Sequence, residues 1–132
     1  MARKRVKQRA AVGQLGKMLT RRSKGRCELC KSKDQVRLYE LAPFPTDPEP
    51  HRTLCVCERC RSWLEQGEIA SIEAGFLHEV VWSDEPAVRL ASARLLMLID
   101  FDDNPWIRDT LDAVGFDPTT SELLPYDEHA DP

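Results

Sequence analysis

Apolar positions along this chain recur with two different periods, and the change of period marks out its elements. Val12, Leu15 and Leu19 fall on one face of a helix over residues 10–22. Gly13 and Gly16 lie within it and each weakens it by ~1 kcal/mol relative to alanine. Residues 36–41, Val-Arg-Leu-Tyr-Glu-Leu, alternate as a strand does, and residues 53–56, Thr-Leu-Cys-Val, form a second strand. The four prolines within residues 42–50 make the connection between them a loop. A helix carrying Trp63 and Leu64 follows and ends near Gly67. Residues 68–80 are expected to form a short helix and then an irregular link at Gly75.

The second half reads as helical. Ser83-Asp84-Glu85-Pro86 combines a small polar cap, two acids and a first-turn proline, which is a helix start. Val88, Ala91, Leu95, Leu98 and Ile99 then define one face to about Phe101, broadened by Leu90, Leu96 and Met97, so this helix should be well buried. Asp102-Asp103-Asn104-Pro105 breaks it and caps another, which bears Trp106, Ile107, Leu111 and Val114 and closes at Gly115. Thr119 and Glu122 have the spacing to cap one last helical turn. Trp63, Trp82 and Trp106 each stand where an apolar face or cap begins, so all three are expected in the core.

Charge divides the chain unevenly. Residues 1–26 hold ten cations and no acid, although the whole chain has 19 Lys and Arg against 22 Asp and Glu. A basic arm on an acidic body points to a polyanionic partner, RNA, DNA or the ribosome, contacted through Arg3, Lys4, Arg5, Lys7, Arg9, Lys17, Arg21 and Arg22. A solvated tail that folds back onto its own acidic body is the alternative. No run approaches ~18 consecutive apolar residues, so no membrane span is expected. The basic start lacks the apolar region of a secretory leader, and the expected compartment is the cytoplasm.

The most specific signal is a pair of Cys-x-x-Cys turns. Cys27-Glu28-Leu29-Cys30 and Cys57-Glu58-Arg59-Cys60 are separated by 26 residues. Each turn brings two sulfurs together and directs backbone N–H groups at them. Two such turns make a tetrahedral four-sulfur shell suited to Zn²⁺, with no open position for water or substrate, so the metal is expected to be structural. Structural zinc supplies on the order of 10–16 kcal/mol to zinc-finger peptides near neutral pH, which a small ribbon needs in order to fold. An iron centre, two disulfides or a redox pair are the other uses of this spacing. Disulfides would require an oxidising compartment. Cys55 reads as a small buried hydrophobe. His51 is not expected to be a ligand, because four thiolates complete the shell, and His78 and His129 read as isolated surface histidines.

Leu19, Arg22, Ser23, the Cys-Glu-Leu-Cys turn and residues 38–43, Leu-Tyr-Glu-Leu-Ala-Pro, resemble the N-terminal zinc domain of the PhnA family. The resemblance continues through Leu54, Cys57 and Cys60 and returns at residues 82–88, Trp-Ser-Asp-Glu-Pro-Ala-Val. It spans roughly residues 19–124 and implies a zinc-held module with an alkylphosphonate-operon label but no carbon–phosphorus bond chemistry. Lys31 replaces a glycine common in that family, and residues 65–80 match poorly. A second resemblance, to treble-clef and HNH nuclease domains, lies in the order of knuckle, strand, loop, strand, knuckle and helix. An HNH site would carry histidines where this chain has Tyr39 and Glu40, and often one where it has Arg61.

These readings converge on an α+β chain. A basic flexible arm over residues 1–18 precedes a four-cysteine zinc-ribbon or treble-clef-like module over residues 19–65. A helical part over residues 66–124 packs on the module, and residues 125–132 form an acidic tail. The expected role is a PhnA-like, non-enzymatic binding or adaptor module. The alternatives are a nuclease relative with a degenerate site and a protein–protein module using the acidic helical half.

Overall fold

The computed structural model describes residues 10–69, 74–99 and 104–124, with residues 10–14 described by their backbone alone. Helix α1 spans Ala10–Ser23 and leads into the first cysteine turn. Strands β1 (Arg37–Glu40) and β2 (Thr53–Val56) follow, with a 3-10 turn at Pro50–Arg52 just before β2. Helix α2 (Glu58–Gln66) starts at the second cysteine turn. The rest comprises α3 (Leu77–Val80), α4 (Pro86–Leu96), α5 (Trp106–Ala113) and a small hairpin of β3 (Phe116–Asp117) and β4 (Glu122–Leu123). The chain is therefore α+β, and the described residues hold two separate two-stranded antiparallel sheets. Among the described residues, no helix is long and apolar enough to cross a membrane.

The β1–β2 register pairs Leu38 with Cys55, Tyr39 with Leu54 and Glu40 with Thr53. Paired residues share a face and successive residues alternate between faces, so the ribbon has two distinct sides. Tyr39, Leu54 and Val56 join the main core with Leu41, and α4 packs against that core. Leu38 and Cys55 lie on the other side, toward α1, where Leu38 reaches Gly16 and Leu19 is fully buried. The boundary expected at residues 18/19 thus runs through a continuous helix, and the C-terminal half of that helix is part of the module. The side chain of Val12 and all of residues 1–9 lie outside the described residues.

Helix α4 is the hub of the helical half. Eight of its 11 residues are buried, and it contacts β2, α2, α3 and α5. Its one buried hydroxyl, on Ser92, is satisfied by the carbonyl of Val88 at 2.7 Å. Pro86 occupies the first helical turn, as expected, but Ser83 does not cap the helix. Its hydroxyl accepts from the N–H of Glu85 at 3.0 Å, forming a turn ahead of it. The regular helix ends at Leu96, and single turns carry the backbone on to Ile99, leaving Leu98 41% exposed. Phe101, Asp102 and Asp103 lie outside the described residues.

Several expectations require correction. A short helix follows Gly75, at Leu77–Val80, where no helix was expected, and the helix expected before Gly75 falls largely on residues 70–73, outside the described set. Thr119 and Glu122 do not cap a helical turn. Asp117 accepts from the N–H of Thr119 at 2.9 Å to shape the β3–β4 turn, and Glu122 sits in β4. Of the tryptophans, Trp63 is buried, Trp106 is half-buried and Trp82 is 54% exposed. Trp106 stacks on His78 with ring centroids 3.8 Å apart, so His78 joins α3 to α5 rather than standing alone. Gly67 ends α2 as expected, in the left-handed conformation (φ 73°) with its N–H on the carbonyl of Trp63.

Candidate metal centre

Two local structures of different kinds bring the cysteines together. In the first turn, the N–H of Cys30 points at the sulfur of Cys27 at 3.5 Å, and the N–H of Lys31 bonds the carbonyl of Cys27 at 2.9 Å. Closing this turn puts Lys31 in the left-handed region, at φ 72°, which accounts for glycine being the residue best suited there. The second turn is the start of α2. Cys57 is the helix N-cap, and its sulfur accepts from the N–H of Cys60 at 3.5 Å. This N–H favours thiolate at Cys57, against the effect of burial.

The four sulfurs of Cys27, Cys30, Cys57 and Cys60 lie within 4.8 Å of one another. Cys30 and Cys57 are 3.6 Å apart, too far for a disulfide at ~2.05 Å and close to the ~3.8 Å edge of a tetrahedron with Zn–S bonds of ~2.3 Å. All five cysteines are free thiols. Cys27, Cys57 and Cys60 are buried, and Cys30 forms the partly exposed edge of the group. This donor set can hold a metal ion. The four cysteines paired by their spacing in the sequence do come together, as a group able to hold a metal ion. Cys55 stands apart from the group, buried on the α1 side of the ribbon, where burial pushes its thiol pKa up.

Electrostatics within the group are uneven. A hydrogen bond from the Cys60 thiol holds Cys27 as a thiolate, lowering its pKa to about 5, with backbone N–H groups adding to the effect. Cys60 is correspondingly raised because it donates that bond, and burial and the neighbouring sulfurs act in the same direction. Burial raises Cys57 as well. Burial lowers the pKa of the nearby guanidinium of Arg59, but a hydrogen bond to Cys30 and the charges of Cys30, Cys60 and Cys57 raise it by more. Arg59 also lies over the ring of Trp63, 4.8 Å from its centroid, and Trp63 stacks on Phe76. Arg59 was missed in the sequence reading. Its place inside the second Cys-x-x-Cys turn is the signal that could have found it.

Glu28, inside the first turn, is only 6% exposed. Arg22 grips it with two nitrogens, Nε to Oε1 at 2.7 Å and Nη2 to Oε2 at 2.9 Å. Glu28 Oε2 also accepts from the N–H of Cys55 at 2.8 Å, and the N–H of Glu28 returns a bond to the carbonyl of Cys55 at 2.8 Å. Arg22 Nη2 reaches the carbonyl of Thr53 at 3.1 Å. Arg22, read from sequence as part of a polyanion-contacting arm, is thus committed inward and ties α1 to the first cysteine turn and to β2. Lys17 and Arg21 are exposed on α1, while Arg3, Lys4, Arg5, Lys7 and Arg9 lie outside the described residues.

Tyr39 and Glu40 do not converge, because neighbouring strand residues point to opposite faces. Tyr39 faces the core, Glu40 projects from the opposite face of the ribbon, and Arg61 is half-buried on α2. His51 is exposed on the 3-10 turn and is not part of the sulfur group. No family model, curated protein or solved structure matches this chain.

Proposed function

We propose that the chain is a non-enzymatic binding module, of PhnA-like type, whose four thiolates hold one structural Zn²⁺ and whose first cysteine turn and α1 present a cationic face to RNA or DNA. The observation that carries this reading is the fate of Glu28. Between residues 15 and 33 it is the one carboxylate, and it is buried against Arg22. Lys17, Arg21, Lys24, Arg26, Lys31 and Lys33 in the same stretch are all exposed. The outward charge along this stretch of chain is therefore of one sign, with Glu85, 3.3 Å from Arg22, an acid beside it, despite a net charge of −3 for the chain. Such a face suits a phosphate backbone, and a reducing, cytoplasmic compartment suits the free thiols.

Zinc contributes rigidity. With every coordination position filled by sulfur, it binds no substrate and instead fixes the first turn against α2. The cations at the turn then hold constant spacing, which limits the entropy lost when they engage phosphates.

Fluorescence anisotropy of the zinc-loaded full chain with a single-stranded RNA and a duplex DNA tests the reading. Four phosphate contacts give a slope of log K against log salt of about −3 for single strands and about −4 for duplex. Reversing Lys17, Arg21, Lys24 and Arg26 to glutamate should abolish binding while zinc content stays unchanged. Salt-independent binding, or equal binding by the reversed variant, contradicts the proposal.

A further inference from the structure

A cleft of about 490 Å³ lies among β1, the end of α2, the end of α4 and the β3–β4 hairpin. Its volume falls within the ~300–1,000 Å³ typical of small-molecule sites. Leu64, Leu95, Met97 and Phe116 supply apolar wall, and Arg94 and Tyr39 bring polar groups to it.

The state of Arg94 distinguishes this cleft from a packing defect. Its Nε donates to the carbonyl of Ser121 at 2.8 Å and its Nη2 to Glu122 at 2.8 Å, while its Nη1 makes no hydrogen bond among the described residues. Glu122 is also gripped by Arg52, at 2.8 and 3.0 Å. Two guanidinium groups therefore share one carboxylate, which leaves one positive charge at the wall. Burial lowers the Arg94 pKa, with Glu122 opposing that effect, so the group lies in a setting where an anion would be felt strongly. Glu65, the lining carboxylate, is exposed.

We propose that this cleft binds a small apolar carboxylate, with its hydrocarbon body against Leu64, Leu95, Met97 and Phe116 and its carboxylate on Nη1 of Arg94. A monoanion matches the single unshared charge, whereas a dianionic phosphate would leave a negative charge uncompensated against apolar walls. The inference is independent of the metal and of nucleic acid.

The test is amide NMR on the zinc-loaded full chain, titrated separately with octanoate, 1-octanol and octylamine, which share a tail and differ in charge. Octanoate should shift the amides of residues 95–98 and 121–123, and octanol should bind about tenfold more weakly, the value of one charge-assisted hydrogen bond. Met97→Trp, which fills the cleft, should remove octanoate binding. Octanol binding as tightly as octanoate, octylamine binding more tightly than either, or no shift with octanoate at millimolar concentration would each overturn the proposal. Since the head-group series uses the unaltered chain, it decides the matter even if the Met97 variant fails to fold.

Discussion

Arg22 and Glu28 form a two-pronged ion pair, at 2.7 and 2.9 Å, that places the one acid of the first cysteine turn inside the protein and fastens α1 over β2. The pair is 17% and 6% exposed, so its loss should cost far more than that of a surface salt bridge. Removing one partner of a buried pair costs on the order of 3–5 kcal/mol. Glu28→Ala should fall in that range, because it also strips the N–H of Cys55 of its acceptor. Glu28→Gln keeps an acceptor and should cost less. Urea denaturation of the zinc-loaded variants measures both, and equal losses would mean that the Cys55 bond contributes nothing.

Lys31 should be improvable. A non-glycine residue at φ 72° carries about 1–2 kcal/mol of steric cost, part of which glycine returns in its greater unfolded-state entropy. Lys31→Gly is therefore expected to raise stability by up to about 1 kcal/mol with one zinc still bound. A drop in the unfolding midpoint would show that the lysine side chain makes a compensating contact.

The Arg52–Glu122–Arg94 cluster predicts a pH-dependent contribution from the β3–β4 hairpin. Hydrogen bonding to Arg52, reinforced by both arginine charges against the effect of burial, lowers the Glu122 pKa below its ordinary 4.5. Its stabilisation is thus present above pH 4.5 and fades as the pH falls below that value. Glu122→Gln should cost about 1 kcal/mol at pH 7, discounted for 29% exposure, and progressively less in acid. A difference that persists unchanged at pH 3 would locate the effect elsewhere.

What could be read from the sequence is what local chemistry decides. The two cysteine turns, the antiparallel strands, the stop at Gly67 and the start at Pro86 each rest on residues within a few positions of one another. What could not be read depends on partners distant in the chain. Glu122 lies in a strand, with its carboxylate held by Arg52, 70 positions away, and no spacing rule reports that contact. Trp82 matched the start of a helix face yet is 54% exposed, because the turn built by Ser83 precedes the helix and leaves the indole outside. Arg22 looked like its cationic neighbours. Only the packing of α1 on the ribbon, which buries Leu19 and Cys55, distinguishes the arginine that turns inward from those that face water.

Cysteine substitutions separate the ligands from the fifth thiol. Cys60→Ser should abolish stable metal binding and unfold the module, whereas Cys55→Ala should keep one zinc per chain and lose about 1 kcal/mol of packing. Elemental analysis of both variants checks this, and zinc lost equally from both would give Cys55 a role in holding the ion.

The most direct measurement follows metal content and near-ultraviolet circular dichroism together as the native chain is titrated with a strong chelator. One zinc per chain should leave in the same transition in which the tertiary signal collapses. A chain that contains no metal as isolated, or that keeps its full tertiary signal after the ion is removed, contradicts the account.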